Sequence, residues 1–128
     1  MGYTHYFKGS KPLSQEDFDK IQEVTAKVVK YADYVPLENL SSEGVIDING
    51  VGPDSHENLV IYPGLDGFNF CKTNGKPYDV VIVAILCAIN TVTDAFAISS
   101  DGDVADWLLG QNLASAALGH ALPIPSGV

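Results

Sequence analysis

An α+β fold, with a small and mainly antiparallel sheet packed against about three helices, is what this 128-residue sequence predicts. Three observations carry that expectation. Residues 14–31 repeat apolar side chains at helical spacing behind a serine; short β-like pieces bounded by turn residues recur along the chain; and an uncharged run follows Pro77 that is too long for a strand. The length suits one domain over residues 1–128, and no break in composition divides it.

Residues 3–8 alternate Tyr3, His5 and Phe7 against Thr4, Tyr6 and Lys8, the period of a strand. Ser14 then stands as the N-cap of a first helix, with Gln15, Glu16 and Asp17 placing acid in its first turn. Phe18, Ile21, Val24 or Thr25, Val28 and Tyr31 or Ala32 mark its apolar face. After Pro36 the pattern shortens to β-like pieces at 45–49, 59–62 and 68–73, and "NGVGPDSHE" supplies turn chemistry between the first two. The β-branched run after Pro77 is ambiguous by propensity. Its length predicts a helix over 78–92, with Pro77 favouring the first helical position. Being apolar on all sides, that helix calls for cover from the sheet and from another helix or a second subunit. Residues 95–99 read as a further strand, and Asp103 caps a last helix over 104–118 that Gly110 interrupts. The apolar, proline-broken tail "ALPIPSGV" needs a surface to rest on, such as that of a neighbouring chain. Helix and tail together predict a homo-oligomer.

The formal charge is −9 and all seven cations are lysines, none of them beyond Lys76. Without the guanidinium fork of arginine, general nucleic-acid binding is not expected. The acidic C-terminal half suits a basic partner or simply solubility. Two cysteines, Cys71 and Cys87, make no disulfide framework, and no charged-then-apolar leader opens the sequence. A cytoplasmic protein with free thiols is expected, with no membrane span.

Two stretches bear candidate chemistry. "KTNGKPYD" sets Lys72 and Lys76 around Asn-Gly just before a helix N-terminus, where a phosphate or carboxylate fits; the competing interpretation is an ordinary Asn-Gly turn with solvated lysines. The spacing is not that of a P-loop. His5 lies mid-strand among aromatic residues, placed either as an acid or base beside a ring-bearing ligand or as a core histidine with satisfied hydrogen bonds. His5, His56 and His120 are too far apart to suggest zinc, and "SSDGDVAD" lacks the closing glutamate of a calcium loop; no metal or other cofactor is called for. Cys71 reads as a buried thiol and Trp107 as a core anchor.

"MGYTHYF", "FNFCKT" with "KPYD", and "ISSDG" ahead of "DW" together resemble an uncharacterised family of small proteins carried by bacteriophages, prophages and some bacteria. The resemblance touches both ends and the middle of the chain and is weakest over residues 31–55. It implies a phage-linked origin and a place in the host cytoplasm. It rests on Tyr3, Thr4, His5, Tyr6, Cys71, Lys72, Thr73, Pro77, Tyr78 and Asp79.

If the first strand and the "FCKT" strand are neighbours, Tyr3, His5, Tyr6, Lys72, Thr73, Tyr78 and Asp79 converge on one pocket suited to a ring joined to an anionic group. The leading expectation is a protein that binds and sequesters a nucleotide-like, phosphorylated ligand, in the phage setting to counter host defence signalling. The alternatives are an acidic inhibitor of a host defence protein and a nucleotide hydrolase using His5 as acid or base.

Overall fold

The computed structural model describes residues 3–128; Met1 and Gly2 of the opening motif lie outside the described residues. The α+β class stands. Six strands, β1 (Thr4–Gly9), β2 (Glu38–Asn39), β3 (Ile46–Asn49), β4 (Leu59–Ile61), β5 (Gly67–Lys72) and β6 (Phe96–Ser100), accompany three helices, α1 (Gln15–Tyr31), α2 (Asp79–Val92) and α3 (Val104–Leu118). The strands divide between two antiparallel sheets, ordered β5-β1-β6 and β2-β3-β4. Both sheets turn one face to a common apolar core: Phe7, Cys71 and Ile98 from the first, Ile46, Ile48, Leu59 and Ile61 from the second.

β1 is central because both its edges are paired, with His5 opposite Cys71 on β5 and opposite Ser100 on β6. Directly opposed residues share a face. The side chains of His5, Cys71 and Ser100 therefore point together toward the helices, whereas Thr4, Tyr6, Lys8, Phe68, Phe70 and Lys72 belong to the other side.

Local chemistry sets the helix ends. The Ser14 side chain accepts from the Asp17 N–H at 3.1 Å, and Phe18, Ile21, Val24, Thr25 and Val28 are buried along one stripe of α1. Asp103 and Asp106 form a reciprocal capping box at the start of α3, and Gly119 ends it in the left-handed conformation. Between these two lies α2. Tyr78 is its N-cap, so Pro77 sits one residue outside the helix and not at its first position.

Every residue of α2 from Val81 to Ile89 is buried, and the cover comes from α1, α3 and β6 of the same chain. Gly110 allows the close approach: a Cβ there would overlap Val83 and lie 3.1 Å from the Ala84 nitrogen. The tail folds back on its own chain as well, with Gly127 bridged to Ser99 alongside β6 and Leu122 buried. A neighbouring chain is thus unnecessary to both features from which the homo-oligomer was expected.

The bend after β5 is a tight turn. Asn74 (φ 55°) and Gly75 (φ 67°) both take left-handed backbone, and the Lys76 N–H donates to the Thr73 carbonyl at 3.1 Å. This is the type I′ geometry that Asn-Gly favours, here delivering the chain into α2. Among the described residues no helix is long and apolar enough to cross a membrane.

Candidate functional site

Under the three-stranded sheet lies a hydrogen-bonded row of side chains drawn from four separate segments. His5 is fully buried. Its Nε2 lies 2.7 Å from Asp79 Oδ1 at the first turn of α2, and its Nδ1 lies 2.8 Å from Ser100 Oγ at the end of β6. The buried Thr73 hydroxyl also donates to Asp79 Oδ1, at 2.5 Å. An ionised carboxylate only accepts. The ring proton is therefore assigned to Nε2, which leaves Nδ1 to accept from the Ser100 hydroxyl. Ser100 Oγ in turn accepts from the Gly102 N–H at 2.9 Å.

Two aromatic rings hold the imidazole edge-to-face, Tyr3 at 5.0 Å and Trp107 at 5.3 Å between centroids. The Tyr3 hydroxyl packs against Gly102, where a Cβ would overlap it. Burial, with the Asp79 and Asp106 carboxylates nearby, pushes the Tyr3 phenol up to about 12, so that at neutral pH it remains a donor. Trp107 is fully buried, and its Nε1 has no partner among the described residues.

The expected single pocket does not form, because strand alternation separates its members. Tyr3, His5, Thr73 and Asp79 belong to the buried row. Lys72 pairs with Thr4 on the other side of the sheet, with its backbone N–H donating to Glu57 Oε1 at 2.7 Å. Tyr78 is buried, and its hydroxyl donates to the Glu57 carbonyl at 2.6 Å and not to a member of the row. Burial, aided by Cys71 and Asp79, drives the Tyr78 phenol well above its ordinary value. Tyr6 is on the outer face, donating to Asp101 Oδ1 at 3.0 Å. Cys71 is a buried thiol, pushed up to about 12 by burial and by Glu57 and Asp79.

That outer face has its own features. Tyr6 and Phe68 lie 5.8 Å apart, as do Phe68 and Phe70, and the two phenylalanines are 63% and 50% exposed. Tyr6, Lys8 and Phe68 border a groove of about 430 Å³ floored by Ala97, Ile98 and Ser99 and closed by Gly127 of the tail. Ala97 and Ser99 present only small side chains on this face. A Cβ on Gly127 would overlap the Ile98 carbonyl oxygen, so only glycine lets the tail lie this near β6. Among the described residues Lys8 makes no ion pair.

Sequence reasoning missed Lys8, Phe68, Phe70 and Ser100 as candidates. The alternation of "YTHYFK" and "FNF" held the signal for the first three; Ser100 is joined to His5 only by the β1–β6 pairing, which no local pattern announces. A cavity of about 510 Å³ between α1 and the β2–β3 segment is lined by none of the expected site residues. No family model, no curated protein and no solved structure matches the chain.

Proposed function

We propose that the protein binds and sequesters a small nucleotide-like ligand, a ring carrying an anionic group, on the outer face of the β5-β1-β6 sheet. The single observation behind this reading is the groove bordered by Tyr6, Lys8 and Phe68. Two adjacent rings, half-buried Tyr6 and exposed Phe68, offer a stacking surface for a base, and one unpaired ammonium meets a phosphate. The volume of about 430 Å³ falls within the range of small-ligand sites. A net charge of −9 opposes a polyanion far more than a molecule with one or two charges. In the phage setting that the resemblance implies, holding such a molecule withdraws a signal from host defence.

The test is calorimetry against a panel of linear and cyclic nucleotides, repeated with Tyr6→Ala and Phe68→Ala. Loss of a stacked ring weakens binding by about 1–3 kcal/mol. A panel with no binder, or a binder indifferent to both variants, would defeat the proposal.

One observation favours a second reading, an inhibitor that docks on a host defence protein. The aromatic surface runs past the groove to Phe70, and Phe68 and Phe70 share a second hollow with Val60 of β4 and Tyr62 just after it. That strip exceeds what one nucleotide covers and suits a protein partner. Phe70→Ala and Tyr62→Ala separate the two, since they weaken a protein complex and leave nucleotide binding in the groove unchanged.

A further inference from the structure

We propose that Ser100 is a nucleophile, activated by His5 and Asp79, for acyl transfer from small uncharged esters, at a site separate from the outer-face groove. Three groups stand in relay order: Ser100 Oγ to His5 Nδ1 at 2.8 Å, then His5 Nε2 to Asp79 Oδ1 at 2.7 Å. Compared with the usual serine triad the two ring nitrogens exchange roles, but the logic is unchanged. A carboxylate holds the proton on one nitrogen so that the other can take the serine proton.

The backbone setting agrees with this assignment. Ser100 ends β6, Asp101 and Gly102 form the turn, and Asp103 caps α3, so the hydroxyl stands at a strand-to-helix corner. This is the kind of corner that presents a nucleophile, although Ile98 stands where the G-x-S-x-G motif has its first glycine. Ser100 is half-buried while His5 is fully buried, which shields the base from water. The Gly102 N–H already reaches Ser100 Oγ at 2.9 Å, and the Tyr3 hydroxyl packs beside it. The N–H is placed to stabilise charge developing on the serine oxygen as its proton leaves. Tyr3 and Trp107, set edge-on to the imidazole, fix its plane.

Electrostatics chooses the substrate class. Asp79, Asp101, Asp103 and Asp106 lie around the corner, and Lys8 and Lys72 of the sheet belong to its opposite face. A phosphodiester would be repelled, whereas a neutral acyl ester is not. In the first step Ser100 Oγ bonds to the acyl carbon and its proton passes to His5 Nδ1. The ester C–O bond then breaks, and the departing alkoxide takes that proton and leaves as the alcohol. Water next attacks the acyl-serine, giving a proton to Nδ1 that returns to Ser100 Oγ as the carboxylic acid departs.

The probe is a neutral alkyl fluorophosphonate: Ser100 Oγ bonds to phosphorus as its proton passes to His5 Nδ1, the P–F bond breaks, and fluoride leaves. Intact-mass and peptide mass spectrometry of the full chain should place one phosphonyl group on Ser100. Ser100→Ala should abolish it. Asp79→Asn removes the charge and lets an amide donate to Nε2, moving the ring proton to Nδ1; labelling should slow on the order of 10²-fold. p-Nitrophenyl acetate should be cleaved and p-nitrophenyl phosphate should not. Lys20→Ala on the exposed side of α1 should label as the parent does, and thermal melts confirm that each variant is folded. An unlabelled parent, an adduct on another residue, labelling of Asp79→Asn at the parental rate, or turnover of the phosphate alone would overturn the assignment. None of these outcomes depends on nucleotide binding.

Discussion

His5 Nε2 and Asp79 Oδ1 lie 2.7 Å apart although 74 residues separate them, which fastens the central strand β1 to the first turn of α2. Asp79 serves the fold twice, as acceptor for His5 and for Thr73 and as a negative charge at a helix N-terminus. Asp79→Ala leaves two buried donors without an acceptor. A loss of about 1.5–3 kcal/mol is expected, the scale for hydrogen bonds to a charged group. Urea denaturation measures it. Stability within about 0.5 kcal/mol of the parent, the scale of an inert surface change, would show that the row is not a fastener.

Gly110 carries a prediction of opposite sign to its helix propensity. An exposed helical glycine replaced by alanine gains about 1 kcal/mol, but here a Cβ meets Val83 on α2. Gly110→Ala is expected to destabilise the protein by about 1–3 kcal/mol, the usual scale of overpacking. Val83→Ala in the same chain should recover part of that loss. A double-mutant cycle reads the coupling, and simple additivity would mean that the two helices adjust freely.

The thiols set a high-pH limit on stability. Burial raises Cys71 and Cys87 to about 12, against 9.0 when unperturbed, with Glu57 and Asp79 adding to the shift at Cys71. Between those values the unfolded chain has released the protons that the folded chain keeps. The folded state binds more protons there, so stability is fully present below about pH 9 and falls as pH rises toward 12. Denaturation midpoints at pH 8 and pH 10.5 should show the drop, and Cys87→Ala should reduce its slope. In native protein at pH 8, a thiol reagent should modify neither cysteine faster than the chain opens.

Lysine variants distinguish the groove from the bend. Lys8 borders the groove, and Lys76 belongs to the I′ turn. With the best ligand of the nucleotide panel, Lys8→Ala should cost about 1.5–3 kcal/mol, as for a charge-assisted hydrogen bond. Lys76→Ala should cost under about 1 kcal/mol and lose even that at high salt. Titrations at two salt concentrations make the comparison. A larger loss at Lys76 would move the anion site back to the start of α2.

The elements that depend on near neighbours were legible in the sequence. The α1 stripe of Phe18, Ile21, Val24 and Val28 is a repeat within one helix; Ser14 and Asp103 cap residues three positions away; Asn74-Gly75 encodes its own turn through two left-handed backbones. Such features are decided by bonds and torsions within a few residues, so pattern alone suffices. Alternation also told the faces of each strand apart, with Tyr3, His5 and Phe7 on one side and Tyr6 and Lys8 on the other. Tertiary structure decided what stands opposite what. The register that sets Cys71 and Ser100, rather than Lys72, across from His5 turns one imagined pocket into a buried row beneath the sheet and an aromatic groove above it. The same packing closes α1 and α3 over α2 and seats the tail on β6. These pairings join residues far apart in sequence, and their free energy comes from burial that exists only once the core has assembled; no local pattern records it.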